Sequence, residues 1–269
     1  MNSVLITDLG DYLEAKVSLY NSPNFISSDP ISIPHRFSKK EDIEIAGFLA
    51  ATIAWGQRPV IIKNATFLLS CMDDSPHEFI LNFTKNDLRP FQTFVHRTFN
   101  GTDCIYFLKA LQYCYKKFGS LEKLFHEQIR MTKTYPENVP RLQYPSYKEA
   151  IDGWRNFFFS LHQPGRTKKH FASPIQGSAA KRINMFLRWM IRKDTSGVDF
   201  GIWNLSPALL TCPLDVHSGR VARKLGLLKR KQNDWVAAEE LTTNLRMINP
   251  LDPVRFDFAL FGLGIFEKF

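Results

Sequence analysis

Apolar positions recur along most of the chain at intervals of three and four residues. Ile45, Phe48, Leu49, Thr52 and Ile53 form one such stripe, and Ile183, Phe186, Leu187, Met190 and Ile191 another. This spacing puts side chains on one face of an α-helix. Start signals precede the stripes. Ser38 with Glu41, Ser75-Pro76 with Glu78, and Ser146 with Glu149 each offer a side-chain oxygen to the unpaired amides of a first turn. Asp234 and Asp252-Pro253 predict two further caps, and Gly119, Gly165 and Gly226 predict stops. The pattern predicts an all-α protein with about nine to twelve helices. Only residues 91–99 (FQTFVHRTF) have strand character. Loops are expected over 21–38, 132–146 and 161–177, and no segment is long enough to be a flexible linker. Two packed helical lobes are therefore expected, one over 41–200 and one combining 1–40 with 201–269, with a cleft between them.

Composition narrows the class. Apolar residues make up 44% and charged residues 23% of the 269, which suits a globular chain and excludes low complexity. No apolar run approaches the length of a membrane span, and acids stand where a signal peptide would be basic, so a cytoplasmic protein is expected. Cys71, Cys104, Cys114 and Cys212 fit no metal or cluster spacing, and the histidines form no HExxH pair, so no metal site is expected. The charge of +9 is unevenly spread. Residues 166–193 hold eight basic side chains and no acid, and residues 220–231 hold six more, again without an acid. A solvated basic surface would account for this, but two acid-free blocks flanking one short segment fit a polyanion binder better.

Between those blocks lie the residues with chemical potential. In 173–194 (SPIQGSAAKRINMFLRWMIRKD) a small-residue turn opens a helix whose apolar face is Ala180, Ile183, Leu187, Met190 and Ile191. The opposite stripe is Lys181, Asn184, Arg188 and Arg192. A helix start of this kind suits a phosphate. Lys181, in the first turn beside Arg182 and Arg188, is placed for use as a neutral amine nucleophile; a surface lysine on a basic helix explains the same residue. In 212–228 (CPLDVHSGRVARKLGLL), Asp215 is a predicted N-cap, held in place and favoured as a carboxylate.

At these residues the chain resembles the helix-hairpin-helix DNA glycosylases, the superfamily of endonuclease III and the 8-oxoguanine glycosylase/lyases. GSAAK matches the last five positions of the hairpin pattern LPGVGxK and sets Lys181 at the catalytic lysine; PLDVH matches the VDxH segment and sets Asp215 at the catalytic aspartate. EIAGFLAATIAWGQRP (44–59) is similar to the early family helix and puts Gln57, with Arg58, where a residue wedges into the duplex. NPLDPVRFDFALFGLGI (249–265) is similar to the closing helix. The chain also resembles an uncharacterised bacterial family built around KRINMFLRWM, PLDVH and DPVRFDFALFG. Ala179 stands in place of the second hairpin glycine, and Pro174 lies seven rather than five residues before Lys181, which implies a turn of altered shape.

The resemblance implies two lobes around a DNA-binding cleft and a repair glycosylase with lyase activity acting on damaged duplex DNA. DNA phosphates would sit on Gly177, Ser178, Ala179, Ala180 and Arg182, with Arg188, His217 and Arg220 nearby. The base pocket would draw on Trp55, Trp154 or Trp203. No cofactor is implied, since the iron–sulfur loop is missing, although the family turn can hold a monovalent cation. A non-catalytic nucleic-acid binder and a basic helical protein-interaction module remain alternatives.

Overall fold

The computed structural model describes residues 3–132, 146–162 and 164–269, with side chains from Thr7 onward. Its helices in chain order are α1 (Ser3–Tyr20), α2 (Pro23–Ile26), α3 (Lys40–Thr52), α4 (Arg58–Ser70), α5 (Pro76–Asn82) and α6 (Gly101–Phe118). There follow α7 (Leu121–Thr132), α8 (Lys148–Phe158), α9 (Lys181–Ile191), α10 (Val216–Lys224), α11 (Trp235–Ile248) and α12 (Asp257–Ile265). Strands β1 (Val95–His96) and β2 (Phe99–Asn100) form a small antiparallel hairpin. The chain is thus mostly helical, as the three-and-four spacing predicts, and the strand-like stretch shrinks to that hairpin after a 3-10 turn over Arg89–Thr93.

The start and stop signals meet mixed outcomes. Asp234 accepts from the Ala237 amide at the head of α11, and Gly119 ends α6 in the left-handed region at φ 79°. Ser75 sits at the predicted cap of α5 but makes no capping hydrogen bond, and α3 is preceded by Lys39 rather than capped by Ser38. Gly165 stops nothing: α8 ends at Phe158 and Gly165 opens a 3-10 turn instead. Of the loop predicted over 132–146, residues 133–145 lie outside the described residues.

The described residues divide into two compact units. The unit of 26–132 and 149–172 is built on α3, whose residues from Ile43 to Thr52 are all buried. Phe48 there packs on Trp154 at 5.3 Å and on Phe158 at 5.5 Å, and Phe107 meets Phe158 at 4.9 Å. These aromatics are the core, since each buries a large apolar area. The buried Glu44 carboxylate accepts from the Tyr115 hydroxyl at 2.7 Å and from the Leu121 amide at 2.9 Å, which holds the start of α7.

The other unit comprises 3–25, 146–148 and 173–269. It therefore contains both α9 and the aspartate segment, whereas the sequence boundaries put 173–200 in the central lobe. The reason is α9 itself. Every residue from Ile183 to Ile191 is buried, including Asn184 and Arg188, so the helix is a central strut of this unit with no solvent-facing stripe. In the same unit, α12 packs against α10 and α1. Gly262 on α12 lets the Tyr20 ring come so close that a Cβ there would lie 2.0 Å from it.

Candidate active site

The turn before α9 is closed by its own backbone. Gly177 donates to the Pro174 carbonyl at 2.9 Å and Ser178 to the Ser173 carbonyl at 3.2 Å, while the Ser173 hydroxyl accepts from the Gln176 amide. A bridge from Ser178 to Asp234 and a 3.0 Å bond from the Trp235 amide to the Gly177 carbonyl tie the turn to the head of α11. Gly177 has φ 88°, where glycine is needed. Ala179, which replaces a hairpin glycine, lies outside the left-handed region, so its Cβ costs nothing there. The strained residue is Ala180, at φ 47° and ψ 35°, which precedes Lys181 as the helix cap without any capping side chain.

Lys181 leaves this turn in the first position of α9 and its Nζ lies 3.0 Å from Asp215 Oδ2. About a third of the lysine side chain and a quarter of the aspartate side chain remain accessible, so the pair is reachable from outside. Asp215 is fixed at the head of α10 by a capping box. Its Oδ1 accepts from the His217 amide at 2.8 Å and the Ser218 amide at 2.9 Å, and its own amide donates to the Ser218 hydroxyl. One carboxylate oxygen therefore caps the helix and the other meets the lysine. Burial pushes the Asp215 carboxyl up, but the Lys181 charge and the two amides outweigh it and hold the group below the usual carboxylate range.

Behind this pair runs a buried ionic network. Arg188, two turns along α9, donates through Nε to Asp199 at 3.2 Å and through Nη1 to Asp257, the first residue of α12. Its guanidinium also lies 4.3 Å from the centre of the Phe258 ring. Arg192 continues the chain to Asp199 at 2.9 Å, Asp194 at 2.8 Å and Asp252 at 2.8 Å. Four carboxyls thus share two guanidiniums. An excess of buried negative charge is unfavourable, and it shows at two members. Burial pushes Asp199 above the ordinary aspartate value, and burial, reinforced by the Asp215 charge, pushes Asp257 up to about 6 despite Arg188 and Lys181.

Residues 29–266 match a family model described as a protein of unknown function (DUF2400). The chain belongs to this DUF2400 family. No curated protein and no solved structure matches it. In this DUF2400 chain the three segments KRINMFLRWM, PLDVH and DPVRFDFALFG supply Lys181 and Arg188, Asp215, and Asp252 and Asp257 respectively, so the Lys181–Asp215 pair and the arginine–carboxylate network both draw on them.

The remaining expected site residues fall into separate groups. Gly177 and Ser178 are exposed on the turn, Ala179 and Ala180 are buried behind it, and Arg182 is half-buried. His217 and Arg220 are exposed on α10, where Arg220 also donates to the Gly264 carbonyl at 3.1 Å. Arg188 is a correction. With its side chain 5% exposed and two carboxylates on its guanidinium, it cannot face a phosphate, because beyond Lys181 the polar stripe of α9 points inward. Gln57 and Arg58 belong to the other unit, with Gln57 exposed ahead of α4 and Arg58 half-buried in its first turn. Trp154 and Trp203 are core residues, Trp203 packing on Phe186 at 5.5 Å. Trp55 is half-buried, stacked on His170 and edge-on to His96. Among the described residues no three of His, Cys, Asp and Glu come together as a metal site would require.

Asp199 and Asp257 escape a reading by pattern alone, and Asp252, predicted as a cap, makes no capping hydrogen bond and pairs with Arg192 instead. The signal that could find them is a charge inside an apolar run: Asp257 in FDFALFG and Arg188 in MFLRWMI each interrupt residues that must be buried, and a buried charge needs a partner of opposite sign.

Proposed function

We propose that this protein is a DNA N-glycosylase with AP-lyase activity, in which Lys181 is the nucleophile and Asp215 its carboxylate partner. The observation that supports it is the pair itself. Two segments 34 positions apart deliver a lysine and a cap-fixed carboxylate to 3.0 Å, accessible from solvent, directly after a strained turn. An ordinary surface ion pair needs neither the strain nor the buried network behind it.

The chemistry requires a nucleotide turned out of the duplex, because the glycosidic carbon is inaccessible within the stack. The neutral amine of Lys181 attacks C1′ while the bond from C1′ to the base breaks, its electrons leaving on the base, which takes up a proton. Asp215 stabilises the positive charge that develops on the sugar. Loss of the remaining amine proton and opening of the sugar ring give an imine; removal of a C2′ proton then expels the 3′ phosphate and nicks the strand. Arg182, His217 and Arg220 would receive the flanking phosphates, while the Gly177, Ser178 and Ala180 amides stay engaged within the turn.

Borohydride trapping tests this directly. The protein is incubated with duplexes carrying an abasic site, 8-oxoguanine or uracil, alongside Lys181→Ala and Asp215→Asn. Asparagine keeps the capping oxygen while losing the charge, so its effect on chemistry is separable from folding. A covalent adduct lost in Lys181→Ala is the expected result. Salt-sensitive binding without any adduct would favour a non-catalytic nucleic-acid binder, and absence of binding would favour a protein-interaction module.

A further inference from the structure

Lys181 and Asp215 come from separate segments, yet three consecutive residues touch the supports of both. Asn233 Nδ2 donates to the Asp215 carbonyl at 2.9 Å. Asp234 is bridged to Ser178 in the turn that delivers Lys181, and the Trp235 amide donates to the Gly177 carbonyl of that turn at 3.0 Å. We propose that residues 233–235 are a splint that sets the spacing between Lys181 and Asp215, with Asn233 as its positioning residue. The spacing itself stands whatever the pair does; its value to catalysis rests on the reading of Lys181 as a nucleophile.

Asn233 is exposed, but both ends of its amide are engaged. Its Oδ1 accepts from Arg223 Nη2 at 2.7 Å while Nδ2 meets the Asp215 carbonyl. Only this orientation gives the carbonyl a donor and the guanidinium an acceptor. The same carbonyl takes the Gly219 amide at 2.9 Å, the first bond of α10, so Asn233 fills its second lone pair. Arg223, in the last turn of α10, also donates to the Arg230 carbonyl at 2.8 Å and the Lys231 carbonyl at 2.9 Å, which pins the loop ahead of Asn233 to that helix. Gly219 leaves room for the contact: a Cβ there would lie 2.9 Å from Asn233 Oδ1. The far end of the splint is anchored, since Trp235 is 1% exposed and Asp234 caps α11. Starting α11 requires only the Asp234 cap; the Asn233 bond to a carbonyl 18 residues away adds nothing to that helix and fixes the head of α10 instead.

The spacing is read first on the full chain without DNA. Carbon-13 carboxyl NMR follows the Asp215 midpoint, which the Lys181 charge and the Ser218 and His217 amides hold down against burial. Asn233→Ala removes a donor from the Asp215 carbonyl and none from its carboxylate. The midpoint is expected to rise by about half a pH unit as the lysine recedes, and to rise no further when Asn233→Ala is added to Lys181→Met. An unmoved midpoint, or the same rise without the lysine, overturns the inference. Gly219→Ala is the second variant. It keeps every hydrogen-bonding group and supplies a better helix former, yet presses on Asn233, so the midpoint is expected to rise here too. In borohydride trapping at saturating abasic duplex, both variants are expected to lose about tenfold in adduct rate with DNA affinity held within about twofold, as for a misplaced nucleophile. Wild-type rates in both overturn the positioning role while the glycosylase reading stands. If the wild type forms no adduct, the glycosylase reading falls, and the midpoints still decide whether the splint sets the pair. Should Gly219→Ala fail to fold, Asn233→Ala carries the test, because truncating an exposed side chain leaves the core intact.

Discussion

Ala180 sets the direction in which Lys181 leaves the turn, and it does so from a conformation that alanine disfavours. At φ 47° its Cβ crowds the following carbonyl, which costs roughly 1–2 kcal/mol for a residue with a side chain. Glycine removes that cost but adds backbone freedom to the unfolded chain, so Ala180→Gly is expected to stabilise by up to about 1 kcal/mol and Ala180→Val to destabilise by more. Urea unfolding of the three proteins checks this; loss of stability in the glycine variant would mean that the turn is not held left-handed. The position also shows where pattern reading fails. The hairpin comparison drew attention to Ala179, the missing glycine, yet the backbone places the positive φ one residue later, at Ala180. A motif records residue types, and the closure of this turn by Asp234 and Trp235, more than fifty residues away, leaves no mark in GSAAK.

Helix α9 shows the same limit at the next scale. Its apolar spacing predicts a helix and its start correctly, and the turn before it is where Pro174 and Gly177 suggest. By spacing alone its polar stripe reads as a face toward a polyanion, because basic residues at three-and-four spacing look alike whether they meet water or buried carboxylates. The carboxylates that decide the matter, at Asp199, Asp252 and Asp257, stand outside the basic block, so a count within the block finds no acid. Asp215 as a cap was legible, since capping is a local pattern; its ionic partner was legible only through the family resemblance. The structural role of Arg188 carries its own expectation. Truncating it leaves Asp199 and Asp257 without their shared cation, and Arg188→Ala should cost about 3–5 kcal/mol in chemical unfolding. A loss below about 1 kcal/mol would place the guanidinium at a solvated surface instead.

Over the whole molecule, the pairing inside the basic blocks changes which charges a partner can meet. Arg188 and Arg192 are consumed by buried carboxylates, Arg230 is held by Asp234 with bonds of 2.7 and 2.9 Å, and Arg223 donates to the carbonyls of Arg230 and Lys231. The exposed cations of the blocks include Lys168 and Lys169 in one unit and Lys193, Arg220, Lys224, Lys229 and Lys231 in the other. If DNA is the partner, its affinity should fall with salt at a slope of about 0.9 per phosphate neutralised, set by these exposed side chains and not by the totals of eight and six. Measured as log affinity against log salt, Lys168→Ala with Lys169→Ala, and separately Arg220→Ala with Lys224→Ala, should each flatten the slope by up to about two. Arg188→Lys, which keeps the buried charge in place, should leave the slope unchanged. A flattened slope in Arg188→Lys, with both exposed pairs silent, would contradict the inward-facing stripe, since only a side chain that displaces counterions from phosphate can alter that quantity.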